Sequence, residues 1–278
     1  MKEDISSNEI VGSKKVPDYA GKLDNFHISF EPELRQLIQQ LPLSPTMKVA
    51  DVGCGDGFYT QILSEHISRP GRVTGFDSNS KYIEIAREMS RDRKSAGLLE
   101  WVEASLDELN PFFGKFDFVW CAQSLFSFPD PISSLEIMKK LLKPHGMLGI
   151  LENDTLHQLC LPWPVELELQ LRSLEFEAFQ SLESHPSKFY VGRRLPYLLD
   201  QSGFETLRVS TQAIDRRGPI NGELASFLRA HLNETLERLK GFTSQNFIQV
   251  VRAELESLMA SPQFSMTWSN ILTLGQPR

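Results

Sequence analysis

Residues 49–57 read Val-Ala-Asp-Val-Gly-Cys-Gly-Asp-Gly, an apolar run that changes abruptly into a glycine-rich stretch. Residues 58–66, which follow, have helical spacing, so the segment predicts a strand, a glycine-rich turn and a helix. Such a turn lets a ligand approach the backbone closely at the start of the helix. The candidate site therefore centres on Asp51, Gly53, Cys54 and Gly55.

The glycine spacing separates two cofactor classes. A dinucleotide turn has the pattern G-x-G-x-x-G, whereas this chain has G-x-G-x-G, with Phe58 where the third dinucleotide glycine would stand. A large ring there would obstruct close packing of helix on strand. Asp51 adds a carboxylate at the strand end, which disfavours a pyrophosphate and favours an ammonium group. The turn therefore favours a cofactor that carries an amino acid.

Asp77 ends the second predicted strand, residues 72–77. A carboxylate at this place accepts hydrogen bonds from ribose hydroxyls. Both cofactor classes contain a ribose, so Asp77 predicts an adenosine without deciding between them.

Outward from the turn, apolar runs alternate with segments of helical spacing. This alternation predicts a parallel sheet with right-handed crossovers. Strands are predicted at residues 48–52, 72–77, 98–103, 116–121 and 147–152, and helices at 31–41, 58–66, 81–91 and 132–142.

Beyond residue 152 longer helices interrupt this rhythm. Helices inserted at the carboxyl edge of such a sheet commonly cover the ligand crevice. Helices are predicted at residues 165–184, 194–202, 223–240 and 245–259, and strands at 205–213 and 264–275. The predicted organisation is an N-terminal arm (1–25), a cofactor-binding core (26–154), a helical cap insertion (155–200), and a segment completing the sheet (201–278) with a second helical insertion (215–262).

Several segments jointly resemble the class I S-adenosylmethionine-dependent methyltransferases. Residues 49–57 look like motif I, Asp77 matches the ribose-binding acid, and residues 116–120 match the fourth-strand motif. Residues 141–146 are similar to the turn before strand five, and residues 201–204 to the turn before strand six. The likeness runs from about residue 48 to 152 and is nearest to the small-molecule enzymes of quinone and natural-product biosynthesis. It implies an α/β fold: a seven-stranded, mostly parallel sheet with helices on both faces, an antiparallel last strand and a helical cap.

The resemblance also implies the cofactor, S-adenosylmethionine, and more of its site. Ser105 stands where the family often has an acid for the adenine amino group, and a hydroxyl accepts that hydrogen bond more weakly. His145 replaces a glycine of the turn before strand five, which we interpret as a structural variation. The remaining predicted cofactor contacts are Ser78, Leu106 and Gln123.

The sequence gives fewer indications of how the methyl acceptor is bound. The family motif Asn/Asp-Pro-Pro-Tyr is absent, since residues 121–124 read Cys-Ala-Gln-Ser, and this disfavours methylation of nucleobase or glutamine nitrogens. His157 follows the fifth predicted strand and is the candidate general base. Glu152 and Asp154 are expected to raise its pKa. His27, in the N-terminal arm, is the competing candidate.

The amino-acid composition disfavours some classes of binding partner. The 278 residues carry 29 basic and 36 acidic side chains, a net charge of −7, which disfavours a nucleic-acid substrate. No apolar run is long enough for a membrane span, and three widely spaced cysteines suggest neither disulfides nor a metal site. We therefore expect a cytoplasmic enzyme acting on a small molecule. A methyltransferase for protein or RNA, and a non-enzymatic cofactor-binding module, are the alternatives; the oligomeric state stays open.

Overall fold

The apolar runs form strands, and the segments of helical spacing form helices, in the residues that the computed structural model describes: 20–93, 95–154, 157–182 and 190–278. The strands are β1 (Lys48–Val52), β2 (Arg72–Asp77), β3 (Leu99–Glu103), β4 (Phe116–Ala122), β5 (Leu142–Glu152), β6 (Leu159–Cys160), β7 (Phe204–Arg217) and β8 (Ser265–Pro277). The α-helices are α1 (Ala20–Ile38), α2 (Phe58–Ser64), α3 (Ser80–Ser90), α4 (Pro131–Leu141), α5 (Val165–Leu182), α6 (Val191–Gln201), α7 (Gly222–Arg238) and α8 (Gln245–Ala260).

All the strands join one sheet in the order β3-β2-β1-β4-β5-β8, with β7 on the outer side of β8. Strands β1 to β5 are parallel, and β8 runs antiparallel to β5 and β7. The predicted fold is therefore confirmed, including the antiparallel last strand. The two-residue β6 is an addition, which pairs with β8 beyond the end of β5.

The strand order reverses between β1 and β4. From β1 the chain builds outward through β2 to β3, then returns to place β4 and β5 on the other side. Parallel sheets bind ligands at such a reversal, in the crevice at the carboxyl ends of the strands. The glycine-rich turn follows β1, and Gln123 follows β4, so both lie at this crevice.

Two hydrophobic cores cover the faces of the sheet. Helices α1, α2, α7 and α8 contribute to one core, and α4 and α6 to the other. The predicted cap insertion, residues 155–200, contains α6, which packs into the core on the opposite face from α1 and α7. Its leucines Leu195, Leu198 and Leu199 are fully buried, and the helix packs on α4 and β7. In the same insertion, α5 packs beside α7.

Helix α1 begins at Ala20 instead of residue 31. Phe26, Phe30 and Leu34 are buried at helical spacing, but the polar residues between them hide this pattern in the sequence. The predicted arm, residues 1–25, thus shares residues 20–25 with α1, and its residues 1–19 lie outside the described part. At the other insertion, predicted as 215–262, residues 215–217 belong to β7.

β7 and β8 extend past the end of β5. The β5–β8 pairing ends where Glu152 meets Ile271, while β7 and β8 stay paired as far as Arg217 and Ser265. This projecting strand pair, residues 212–217 and 265–270, reaches roughly 20 Å beyond the edge. Aromatic rings connect it to α1 and α7 at centroid distances of 5.0–5.8 Å: Phe26, Phe30, Phe227 and Trp268. The helices therefore form a wall beside the crevice.

Candidate active site

The glycine-rich turn requires its glycines. Gly53, Gly55 and Gly57 have φ angles of 74°, 53° and 82°, which side chains rarely adopt. A Cβ atom at Gly53 would lie 2.7 Å from the Cβ of Ser124. The N–H groups of Gly53 and Cys54 donate to the Phe76 carbonyl at 2.8 and 2.9 Å, which fastens the turn to the end of β2. The result is a tight backbone cradle, in which any side chain at Gly53 would collide with Ser124.

Asp51 lies beneath this cradle. Its carboxyl group is 1% exposed and accepts a hydrogen bond from Thr60 Oγ1 at 2.5 Å. Burial raises the pKa of Asp51 to about 7, with Asp77 and Asp56 adding to the increase. Cys54 is also buried, and burial raises the pKa of its thiol well above the usual value. The Cys54 thiol is therefore a packing group, because nucleophilic chemistry needs the thiolate.

Asp77 faces the turn from the end of β2. Its two carboxylate oxygens accept hydrogen bonds from Gly55 N and Asn79 N, both at 2.9 Å. Burial raises the pKa of Asp77, and the two hydrogen bonds oppose this increase. Each oxygen keeps a free lone pair, so the oriented carboxylate can accept further hydrogen bonds from a diol. Ser78, beside it, is exposed.

Ser105 and Leu106 follow β3, next to Asp77. The N–H group of Ala104 donates to the Asp77 carbonyl at 3.0 Å, which holds the two strand ends together. Ser105 Oγ donates to Glu108 at 2.8 Å, and hydrogen bonds from Ser105 lower the pKa of Glu108. The Ser105 hydroxyl hydrogen is thus engaged within the loop, and its oxygen stays available as an acceptor.

Gln123 borders the crevice from the end of β4. Its backbone has φ 51°, an uncommon conformation outside glycine that is often associated with functional sites. Its side-chain amide donates to Asn153 at 3.0 Å, and Asn153 donates to Asn270 at 3.0 Å. Trp268 Nε1 also donates to Asn270, at 3.0 Å. This amide network runs from the end of β4 onto the projecting strand pair.

Glu152 and Ser124 are further site residues. The sequence analysis expected Glu152 only to raise the pKa of His157, and it assigned no role to Ser124. Glu152 is buried at the end of β5 and accepts a hydrogen bond from Leu125 N at 2.7 Å. Burial raises the pKa of Glu152 to about 8. Ser124 Oγ donates to the Gly53 carbonyl at 3.0 Å, so this loop is fastened to the glycine-rich turn. The sequence position of Glu152, at a strand end, was the available signal; Ser124 gave none.

The two candidate bases lie in different surroundings. His157 is exposed, and its ring stacks on Tyr190 at 5.4 Å between centroids. The expected increase in its pKa was wrong: the stacked side of the ring is partly shielded from water, and this shielding and the nearby Arg193 lower the pKa, while Asp154 opposes the decrease only partly. Arg193 binds the Asp154 carboxylate through both its backbone and side chain, so Asp154 is not free to orient the imidazole.

His27 lies on α1 beside the glycine-rich turn. It is 5% exposed, and its ring stacks on Phe58 at 3.9 Å. His27 Nδ1 lies 3.4 Å from the carboxylate of Asp56. The structure therefore brings His27 nearer to the turn than the sequence indicated, and the catalytic roles of both histidines remain predictions.

The described ranges were also compared with the requirements of a metal site and of a membrane-spanning helix. No group of three or more His, Cys, Asp and Glu side chains there is arranged to hold a metal ion. Among the helices of these ranges, none combines the length and apolar character that crossing a bilayer requires.

Comparison with known proteins agrees with the motif spacing. Residues 50–150 match the family described as the methyltransferase domain. The demethylmenaquinone methyltransferase of Staphylococcus aureus is 26% identical over 199 residues, covering 68% of this chain and 81% of that protein. A methyltransferase-type structure from Bacillus halodurans C-125 aligns at a TM-score of 0.57 and 18% identity, covering 89% of this chain and all of that one.

A second solved structure shares the fold. The geranyl diphosphate C-methyltransferase of Streptomyces coelicolor A3(2), solved with Mg²⁺, geranyl diphosphate and S-adenosyl-L-homocysteine, aligns at a TM-score of 0.52 and 12% identity. The alignment covers 95% of this chain and 84% of that one. Residues 50–150 therefore match a methyltransferase domain, and the motif spacing and fold are similar to those of the class I S-adenosylmethionine-dependent methyltransferases.

Proposed function

We propose that this methyltransferase acts on a small molecule, bound beside the crevice at the carboxyl ends of β1, β4 and β5. The observation that carries the proposal is the helical wall around the crevice. A Cβ atom placed at Gly55 would lie 3.7 Å from Cδ2 of Leu23, so α1 crosses the glycine-rich turn. The projecting strand pair and α7 close the same side. A bounded space of this kind suits a small acceptor better than a folded macromolecule.

Two of the similar proteins support this class of acceptor. One is named for demethylmenaquinone and the other for geranyl diphosphate, and both names denote small molecules with large apolar parts. The net charge of −7 points the same way, since a nucleic-acid substrate favours a basic surface.

The predicted cofactor residues fit S-adenosylmethionine, which supplies an activated methyl group when bound. The glycine-rich turn would hold its amino-acid part, above the buried Asp51. The oriented Asp77 carboxylate accepts the ribose hydroxyls, with Ser78 adjacent. Around the remaining edge lie Cys54, Ser105, Leu106 and Gln123. These residues hold and orient the donor, while α1 excludes water.

A base is needed only where the acceptor must lose a proton. We propose His157 for this role, with His27 as the competing candidate. The lowered pKa of His157 leaves its imidazole neutral at pH 7, the form that accepts a proton.

The substitution Asp77→Ala tests the proposed cofactor site. Losing hydrogen bonds to a charged group should weaken the binding of S-adenosylhomocysteine by about 2–4 kcal/mol. Titration calorimetry measures the affinity, and Asp107→Ala, an exposed acid of the neighbouring loop, is the matched control. An unchanged affinity in a folded Asp77→Ala protein would place the ribose elsewhere.

The acceptor part is tested with S-adenosylmethionine labelled in its methyl group. We expect the label in small molecules extracted from cells, and Asp77→Ala should reduce the incorporation. Label that enters only protein or RNA would contradict the proposal.

A further inference from the structure

A surface groove runs along α2, between α1 and α3. It begins beside the glycine-rich turn, at Asp24 and Asp56, and continues to Arg35 and Met89. An α-helix rises about 1.5 Å per residue, so Asp24 and Arg35 of α1 are roughly 16 Å apart, and the groove leads away from the crevice. Its volume of about 150 Å³ has room for a molecule of about the size of benzene.

The groove is open to solvent. Two large apolar side chains stand on its rim, Ile28 of α1 and Met89 of α3, and they are 52% and 55% exposed. Ile62 of α2 lies deeper and is buried. An apolar molecule in the groove would cover the rim side chains, and removing their surface from water is favourable. A ligand can therefore enter from the surface without passing the cofactor crevice.

Two buried polar side chains in the groove lack a hydrogen-bond partner. Gln61 and His27 line the groove and are 4% and 5% exposed. Within the described part of the chain, neither Oε1 of Gln61 nor Nε2 of His27 forms a hydrogen bond. Burying a polar atom without a partner destabilises a fold, so native proteins contain few such atoms. Two of them in one groove indicate that a ligand supplies the missing partner.

The two polar atoms favour a ligand that donates hydrogen bonds. Nδ1 of His27 lies 3.4 Å from the carboxylate of Asp56, so the ring hydrogen belongs on Nδ1 and Nε2 is an acceptor. The Gln61 oxygen is an acceptor as well. Asp24 adds a second carboxylate at the same end of the groove. This end therefore suits a positively charged group that carries several hydrogens.

The arginines of the groove do not reverse this preference. Arg35 donates to Glu31 and Glu65, both at 2.7 Å, so its charge is already paired. Arg93 follows α3, at the end of the groove away from the glycine-rich turn. An anionic ligand beside His27 would meet the carboxylate of Asp56, and like charges at short distance repel.

We propose that this groove binds a small organic cation, with a primary ammonium group beside His27, Gln61 and Asp56 and an apolar body between Ile28 and Met89. The site is separate from the cofactor crevice, and it does not depend on the identity of the methyl acceptor. Because the groove begins at the glycine-rich turn, the ligand would bind where α1 covers that turn.

The test compares benzylamine and benzoate, which share a ring and carry opposite charges at pH 7. Isotope-labelled protein is first saturated with S-adenosylhomocysteine, so that the crevice is filled, and each probe is then titrated while amide chemical shifts are recorded. We expect benzylamine to shift the amides of residues 24–35, 56–62 and 89–93. It should bind at least about ten-fold more tightly than benzoate, because the carboxylates of the groove repel an anion.

Two variants separate a binding role from a structural one. Gln61→Met keeps the side-chain volume and removes the unpartnered oxygen, so it should raise the Tm and yet weaken benzylamine binding about five- to ten-fold. Asp24→Asn removes an exposed charge and should weaken binding by about two- to three-fold. The matched control is Gln39→Met, at an exposed position on α1 outside the groove, which should leave the benzylamine affinity unchanged.

Several outcomes would overturn the inference. One is the absence of benzylamine binding to the native protein, which would mean that the groove holds water only. Others are shifts confined to residues of the crevice, equal or tighter binding of benzoate, and an unchanged benzylamine affinity in Gln61→Met. A lower Tm in Gln61→Met would show that Gln61 has a structural partner, and this too would contradict the inference.

Discussion

Buried carboxyl groups hold the loops of the crevice. Asp51 bonds Thr60 below the glycine-rich turn, and Glu152 binds the N–H group of Leu125 in the loop after β4. Ser124 of that loop donates to Gly53, so Glu152 sets the position of the loop against the turn. Burial raises the pKa of both acids, which means that the folded state favours their protonated forms.

Stability should therefore depend on pH through Glu152. The folded protein holds this proton up to about pH 8, whereas an unfolded glutamate releases it near pH 4.5. The resulting stabilisation is complete below about pH 4.5 and is lost as the pH rises to about 8. Glu152→Gln keeps an acceptor without the charge, so it should gain about 3–5 kcal/mol relative to the native protein between pH 5 and pH 9.

Denaturant unfolding at several pH values measures this difference. Glu136→Gln changes an exposed carboxylate on α4 and is the matched control. Parallel stability curves for the native protein and Glu152→Gln would show that Glu152 is not protonated in the folded state.

The histidines give a second prediction at the level of single residues. If His157 is the base, His157→Ala should reduce the rate about 10²–10⁴-fold. The acidic limb of the native pH–rate profile should lie below pH 6.5, because the surroundings of His157 lower its pKa. Near-full activity of His157→Ala, with a loss in His27→Ala, would assign the role to His27.

Helix α1 connects the two halves of the site. Its Leu23 approaches the glycine-rich turn, while Phe26 and Phe30 pack on Phe227 and Trp268. A cofactor in the turn should therefore stabilise α1, and through it α7. We expect S-adenosylhomocysteine to slow amide exchange in α1 and α7 more than in α4, on the other face.

Two leucine variants make this measurement specific. Leu23→Ala should weaken the protection of α7 by cofactor, because it removes a contact between α1 and the turn. Leu207→Ala, at an exposed position on β7, is the control. Equal protection of α4 and α7 in the native protein would show that cofactor binding does not stabilise the helical wall.

Local sequence predicted the elements better than it predicted their contacts. β1 and β2 occupy the predicted residues because each is a short apolar run between turns. The Asn153–Asn270 contact joins positions 117 apart, and no local pattern indicates which polar residues meet. Phe58, which the sequence analysis took as evidence against a dinucleotide turn, stacks on His27. The ring of Trp101 occupies the space beside Gly57 and Gly75, and no local pattern indicates this contact.

At the scale of the whole molecule, cofactor binding should be visible as stability. A ligand that binds only the folded state at 100 times its Kd adds about 2.7 kcal/mol. For a chain of this size that should raise the Tm by about 5–10 °C. We expect this shift with S-adenosylhomocysteine and none with NAD, measured by calorimetric unfolding. An increase in Tm with NAD, without one for S-adenosylhomocysteine, would show that the glycine-rich turn binds a dinucleotide.

The position of β8 has a consequence for how the chain folds. During synthesis β5 emerges long before its neighbour β8, and its edge has no strand to pair with until residue 271 leaves the ribosome. Closing a loop of this length carries an entropic cost, which slows folding. The exposed edge is meanwhile a template for pairing with other chains. Nascent molecules halted before β8 should therefore aggregate.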